Sequence, residues 1–314
     1  MTNVSSSRRS RSSTSANRQG WDEIAAVWLL LALMGVAVVV TYTRLPPEEL
    51  YNVTRSGLSG GLSRLLVDLN FPDAIVALGI LAVVWRQLPR HAVPFAIAAA
   101  VLCLVVVVPG VVDQSDLDAK PINLLPALGV VIVLVLSLLP RRPPSERLVR
   151  GDDLRLVLGA LAIVLAVPWI AAALGVYLDG VPLLGSIFQT DRIVSYHGND
   201  PHPAVHHGMH HGLYGMVLVL AALLLSRRLP DAAPAAAPLL ALMLASGFGN
   251  IVNDDWLEQV AEHGWTDGTF PSVLEPAINW GWLLVLLSAV LVWALWFRQP
   301  TPARTSLKTF RKAG

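Results

Sequence analysis

The chain has 314 residues, of which 54% are hydrophobic and only 14% carry a charge, and its formal net charge is +1. An ordinary soluble protein has about 25% charged residues, so this composition excludes a single soluble domain and a largely disordered chain. The single cysteine, Cys103, excludes a disulfide framework and a metal site with several cysteine ligands. We therefore expect an all-α polytopic membrane protein.

Eight apolar runs approach the roughly 20 residues that a helix needs to cross about 30 Å of hydrocarbon. They are Ile24–Tyr42, Pro72–Trp85, Ala92–Val112, Pro121–Leu139, Leu154–Leu178, Leu213–Leu225, Ala235–Val252 and Pro276–Phe297. The second and the sixth are short and need flanking residues to span. A signal peptide is the alternative interpretation of the first run, but no small-residue cleavage site follows it, which favours a retained anchor.

Before the first run, residues 1–20 are rich in Ser and Arg and are predicted to form a disordered, basic cytoplasmic tail. After it, leucines at helical spacing predict a helix near 58–69 that lies in the membrane interface. Arg64 and Asp68 interrupt this segment, which makes a further crossing a poor alternative.

A cytoplasmic hinge is predicted over 141–153, where two prolines lie among arginines. It divides the chain into membrane helices 1–4 (21–140) and membrane helices 5–8 (154–297). A second basic cytoplasmic tail follows over 298–314.

Basic residues in the connecting segments predict the orientation. With the N-terminus in the cytoplasm, the inner segments hold 18 of the 23 Lys and Arg residues, and the outer loops hold five. We therefore expect eight transmembrane helices with N- and C-termini cytoplasmic. Arg outnumbers Lys by 20 to 3, which indicates a GC-rich coding sequence. The predicted location is a bacterial inner or plasma membrane.

The same orientation places 16 of the 22 acidic residues and seven of the eight histidines outside. Five of these histidines fall within ten residues; they are His202, His206, His207, His210 and His211. Asp200 and Pro201 suit the first positions of a helix, so we expect the sixth helix to begin near Pro201.

On such a helix the five histidines would form two groups. His202, His206 and His210 would share one face, and His207 and His211 would form a second i, i+4 pair. Two imidazoles at this spacing can reach one metal ion. A solvated patch of titrating histidines is the alternative interpretation.

The outer end of the seventh helix is the best source of further ligands. Asp254 and His263 are predicted metal ligands, and the candidate catalytic residues are Asp254, Asp255 and Glu258. Nitrogen and oxygen ligands without a thiolate suit a divalent or transition metal ion such as Zn, Fe, Mn or Cu(II).

The run His207-Gly208-Met209-His210-His211 resembles the His-x-x-His-His box of membrane di-iron desaturases and hydroxylases. His202 to His206 is similar to their looser His-x-x-x-His box. Those families carry several boxes in separate segments on the cytoplasmic side, whereas here the boxes overlap in one segment predicted to face outward. The resemblance covers about ten residues and assigns no roles to them.

Three functions follow as hypotheses. The first is a metal-dependent membrane enzyme, a hydrolase or an oxidoreductase, whose site at the outer interface acts on a lipid-like substrate. The second is a non-catalytic metal sensor or assembly protein. The third is a metal or proton transporter, which is disfavoured because the predicted spans hold almost no ionisable residues. The expected partners are the lipid bilayer and the lipid-like substrate, with no nucleic acid.

Overall fold

The computed structural model describes residues 22–44, 54–113, 116, 118–140, 149–173, 182, 189–194, 202–205, 212–261 and 263–298. The α-helices are α1 (Glu23–Arg44), α2 (Gly57–Asp68), α3 (Asp73–Val84), α4 (Val93–Leu104), α5 (Leu124–Leu138), α6 (Asp152–Leu165), α7 (Val167–Ala173), α8 (Tyr214–Ser226), α9 (Ala236–Asp254) and α10 (Trp280–Val292). Two short strands, β1 (Gln189–Val194) and β2 (His202–Val205), pair in antiparallel fashion and are the β-strands among the described residues.

Five helical stretches are long and apolar enough to cross a membrane; they are Glu23–Arg44, Arg90–Val107, Pro121–Leu138, Ala236–Leu257 and Trp280–Phe297. A sixth results if α2 and the stretch Asp73–Gln87, which are bent by 41° relative to each other, count as one span. These helices are consistent with the predicted helical membrane protein. The number of eight spans and the orientation of the termini stay predictions.

Helix α8 lies at the centre of the bundle. It contacts α1, α3, α6 and α9, and nearly all of its residues are buried. A helix that is apolar on every side, as this one is, requires protein or lipid all around it. Its 13 residues span only about 20 Å, so α8 alone is shorter than the hydrocarbon layer, as the sequence indicated.

Close approach between α8 and α9 depends on two glycines. A Cβ atom on Gly215 would lie 2.6 Å from the carbonyl oxygen of Gly247, and one on Gly247 would lie 2.7 Å from the carbonyl oxygen of Gly215. Neither position can hold a larger residue unless the backbones separate. Small residues at a crossing are typical of helices that pack tightly inside a membrane.

Three helix termini meet in an ion-pair network that we call the arginine end. Glu23 at the start of α1 contacts Arg227 (2.9 Å) and Arg228 (2.6 Å), which follow α8. Arg227 also contacts Asp152 at the start of α6, at 2.8 Å, and Asp152 contacts Arg155. Since Glu23 is only 3% exposed, the network lies largely inside the protein.

The predicted helix near 58–69 is present as α2, but its charged side does not face water. Arg64 and Asp68 are buried, whereas Leu58 and Leu62 are exposed. Helix α2 packs against α1 through Gly61, where a Cβ atom would lie 2.7 Å from a carbonyl oxygen of α1. In the sequence, Arg64 and Asp68 served only as an argument against a further crossing; in the structure the two opposite charges are buried together as an ion pair.

Candidate functional site

At the opposite end of α1 and α8 lies a buried polar cluster, which we call the tyrosine end. Arg64 donates a hydrogen bond to the hydroxyl of Tyr214 at the start of α8. Its guanidinium carbon lies 5.5 Å from the ring centroid of Tyr42 and 5.3 Å from that of Tyr214. The guanidinium group is thus held by two aromatic rings, an arrangement that stabilises a cation removed from water.

The negative partner of this cation is Asp68, one helical turn further along α2. The two side chains form an ion pair of 3.4 Å and are 0% and 2% exposed. Asp73, at the start of α3, is also buried. A charge inside a membrane protein is costly and marks a functional site by default. The three side chains are ionisable groups that the sequence analysis did not place within the bundle.

Asparagines join the tyrosine end to α5. The Nδ2 group of Asn123 donates to Oδ1 of Asn70 at 3.1 Å, and Nδ2 of Asn70 donates to the carbonyl oxygen of Asn123. Both residues are buried. This reciprocal pair satisfies polar groups that would otherwise be unpaired in an apolar surrounding, and it fixes the start of α5 beside the turn between α2 and α3.

The end of α9 reaches the segment that carries the histidines. The Oδ2 atom of Asp254 accepts a hydrogen bond from the backbone N–H of Gly212 at 3.1 Å, and this contact is buried. Gly212 directly follows His211 in the sequence. Asp254 therefore contacts the residue that follows His211, whereas its predicted convergence with the histidine side chains stays a prediction.

Beyond Asp254 the helix widens. Asp255–Ala261 forms π-helical turns, a rare backbone conformation that occurs frequently at functional sites. Trp256 in these turns donates through Nε1 to the carbonyl oxygen of Gly268, and Asn253 donates to that of Phe270. These bonds hold the loop between α9 and α10 over the end of α9.

The histidine segment itself is described only in part. The backbone of His202–Val205 forms β2, so the prediction that the sixth helix begins near Pro201 is wrong. Pro201 and Pro203 lack backbone N–H donors, and an edge strand tolerates such residues as readily as the first turn of a helix does, so the prolines did not distinguish the two. His206, His207, His210 and His211 lie outside the described residues.

The remaining predicted site residues lie near the end of α9. Asp255 is half-buried, and the side chain of Glu258 lies outside the described part. The His263 ring stacks on Trp265, with ring centroids 4.9 Å apart. Over the described ranges of the chain, no three His, Cys, Asp or Glu side chains converge as a metal site. A complete site at this end thus needs side chains from 206–211.

Sequence reasoning missed the charged cluster around Arg64. The available signal was the pairing of opposite charges at i and i+4 in α2, preceded by Gly60 and Gly61. Adjacent small residues favour contact with another helix, and such contact would have turned the charges inward. No family model matches this chain, and no curated protein or solved structure matches it either.

Proposed function

We propose that this protein is a metal-dependent membrane enzyme, a hydrolase or an oxidoreductase, that acts on a lipid-like substrate at the outer face of a bacterial plasma membrane. The observation that carries the proposal is the hydrogen bond between Asp254 and Gly212. It supports a site in which a carboxylate from α9 and imidazoles from 206–211 bind the same ion.

The orientation belongs to the same proposal. We place the arginine end in the cytoplasm and the tyrosine end outside, with eight spans and both termini cytoplasmic. The grouping of helix ends supports this arrangement, since α1 and α6 begin at the arginine end and α8 ends there. Helices α1 and α6 run in one direction and α8 in the other, as the first, fifth and sixth of eight successive crossings would. The basic residues of this end fit the positive-inside rule.

The chemistry follows from the ligand types. Neutral imidazoles together with the Asp254 carboxylate would hold Zn, Fe, Mn or Cu(II). A divalent metal lowers the pKa of a bound water to about 7, which supplies a nucleophile for hydrolysis at neutral pH. Asp255 and Glu258 follow Asp254 on the π-helical turns and are the candidates for a general base.

The test is elemental analysis of protein purified in detergent through a tag that contains no histidine. We expect the wild-type protein to retain a transition metal, and we expect His206→Ala, His210→Ala and Asp254→Asn each to reduce the bound metal several-fold. The matched control is Asp267→Asn, a carboxylate exposed in the following loop, which should leave the metal content unchanged. Equal metal content in all of these proteins would contradict the proposal.

A metal sensor or assembly protein would give the same elemental result. The enzyme is distinguished by turnover: incubation with a total membrane-lipid extract should consume a lipid and release a product with the metal-loaded wild type. The His206→Ala protein should release none. Metal binding without any change in the extract would favour the sensor.

Transport of an ion is the third possibility, and the buried Arg64, Asp68 and Asp73 bear on it, since transporters carry ionisable groups at membrane depth. These three lie at the tyrosine end, however. The central helix α8 has no ionisable side chain between Gly215 and Leu225. A path along α8 from one end of the bundle to the other therefore lacks the relay of polar groups that conduction needs.

A further inference from the structure

A cavity of about 620 Å³ lies between α3, α9, α10 and the loop that precedes α10. This volume falls within the range of about 300–1,000 Å³ that is usual for small-ligand sites. Its walls are almost entirely apolar. Leu104, Ile278 and Leu286 line the cavity and are themselves exposed, so the cavity opens sideways onto the surface that faces lipid.

Two polar side chains of α9, Ser246 and Asn250, interrupt the apolar wall. Asn250 is only 1% exposed, and its Nδ2 group donates to the backbone carbonyl of Ser246 at 2.9 Å. Its Oδ1 atom is buried and has no hydrogen-bond partner among the residues that the structure describes. A buried acceptor without a donor is costly, and natural proteins seldom leave one without a reason.

We infer that this cavity binds the single apolar chain of a membrane lipid that carries a hydroxyl group, and that Oδ1 of Asn250 accepts a hydrogen bond from that hydroxyl. The acceptor defines the ligand's chemistry. An ether or a hydrocarbon cannot donate to Asn250, and a charged headgroup would find no countercharge among the cavity's lining residues. A long-chain or isoprenoid alcohol satisfies the carbonyl oxygen and the apolar wall together.

The position of Asn250 relates the cavity to the proposed site. Asp254 lies one helical turn further along α9, about 6 Å along the axis. A hydroxyl held at Asn250 would therefore lie close to the tyrosine end, with its chain extending toward Met243 and Leu239. As a statement about the substrate this inference rests on the proposed function, but as a statement about binding it does not need the metal.

The experiment uses hexadecanol that carries a photoactivatable diazirine on its chain, and the methyl ether of the same probe. Both are crosslinked to full-length protein in lipid nanodiscs, after metal removal with EDTA, and the labelled peptides are identified by mass spectrometry. One hydrogen bond to a buried acceptor corresponds to about fivefold in binding. We therefore expect the alcohol to label the cavity peptides about fivefold more than the ether.

Three variants make the result specific. Asn250→Leu should reduce labelling by the alcohol to the level of the ether. Ala277→Trp, at an exposed loop position that lines the cavity, should block the opening and suppress labelling by both probes. Leu128→Trp on the exposed side of α5 is the control and should change nothing.

Equal labelling of the wild type by both probes would overturn the inference, as would labelling that persists in Ala277→Trp. Because the protein is free of metal, these outcomes are independent of the metal analysis. If the protein is labelled specifically but never retains a metal, the cavity binds the alcohol as inferred and the proposed metal-dependent enzyme is wrong.

Discussion

The carboxylate of Asp254 and the backbone N–H of Gly212 form a buried 3.1 Å hydrogen bond although 42 positions separate the two residues. Loss of the acceptor would leave a buried N–H unpaired, which costs about 1–3 kcal/mol. We expect Asp254→Ala to lower the free energy of unfolding by this amount. Asp254→Asn keeps an acceptor and should lose less. Denaturant titration in mixed micelles measures both, and equal losses would contradict a role for the hydrogen bond.

The pair of Arg64 and Asp68 predicts a non-additive result. Arg64→Leu leaves the buried carboxylate without its cation and should lower the free energy of unfolding by about 3–5 kcal/mol. The double variant Arg64→Leu/Asp68→Leu removes both charges and should unfold close to the wild type. The coupling is read from a double-mutant cycle in the same titration. Losses that simply add would show that the two charges do not compensate each other.

At the arginine end, Glu23 is the carboxylate that Arg227 and Arg228 share. Because this pair of contacts is buried, we expect Glu23→Gln to cost about 3 kcal/mol or more. The control is Lys120→Gln, which breaks the exposed pair with Asp116 and should cost at most about 1 kcal/mol. Raised salt should weaken only the exposed pair. Similar losses in both variants would be evidence against a buried network.

The space around Gly247 and Gly159 predicts opposite effects for the same change, glycine to alanine. Gly247→Ala forces α8 and α9 apart, and we expect it to destabilise the protein by about 1–3 kcal/mol. Gly159→Ala on α6 meets its nearest neighbour at 3.4 Å, which is ordinary contact. This second change should be neutral or stabilise by up to about 1 kcal/mol. Thermal unfolding of the two proteins side by side provides the measurement.

The single thiol reports on the packing of α4 against α5. Cys103 is fully buried, and a Cβ atom on Gly129 would lie 2.7 Å from its sulfur. We expect N-ethylmaleimide to react with Cys103 only after local opening, which slows labelling about tenfold for each 1.4 kcal/mol of opening free energy. A cysteine at exposed Ser59, in a Cys103→Ser background, is the control and should react at once. Rapid labelling of Cys103 would contradict the packing.

Much of the fold could be predicted because hydropathy marks a membrane helix directly. The predicted span Ile24–Tyr42 corresponds to α1, Glu23–Arg44, and Pro121–Leu139 corresponds to the stretch Pro121–Leu138. Such runs can be recognised in a sequence because every residue in them must suit the same hydrocarbon environment. The predicted start of the sixth helix was wrong, because the cap residues at 200 and 201 are equally suited to a turn before a strand.

The pairing of charges could not be predicted in the same way. Glu23 and Arg228 are separated by 205 positions, and one sequence gives no signal that two such residues meet. Arg64 and Asp68 are close in sequence, but an i, i+4 pair has the same pattern on a solvated helix and on a buried one. Only the packing of α2 on α1 decides between them.

The enclosure of α8 has a consequence for biogenesis. Four helices surround it, and three of them, α1, α3 and α6, are synthesised earlier. These three cannot complete their packing on α8 until residue 226 has left the ribosome, so lipid or the insertion machinery must cover their inward faces during translation. A nascent chain that stalls before α8 would therefore present an open half-bundle to the quality-control proteases of the membrane.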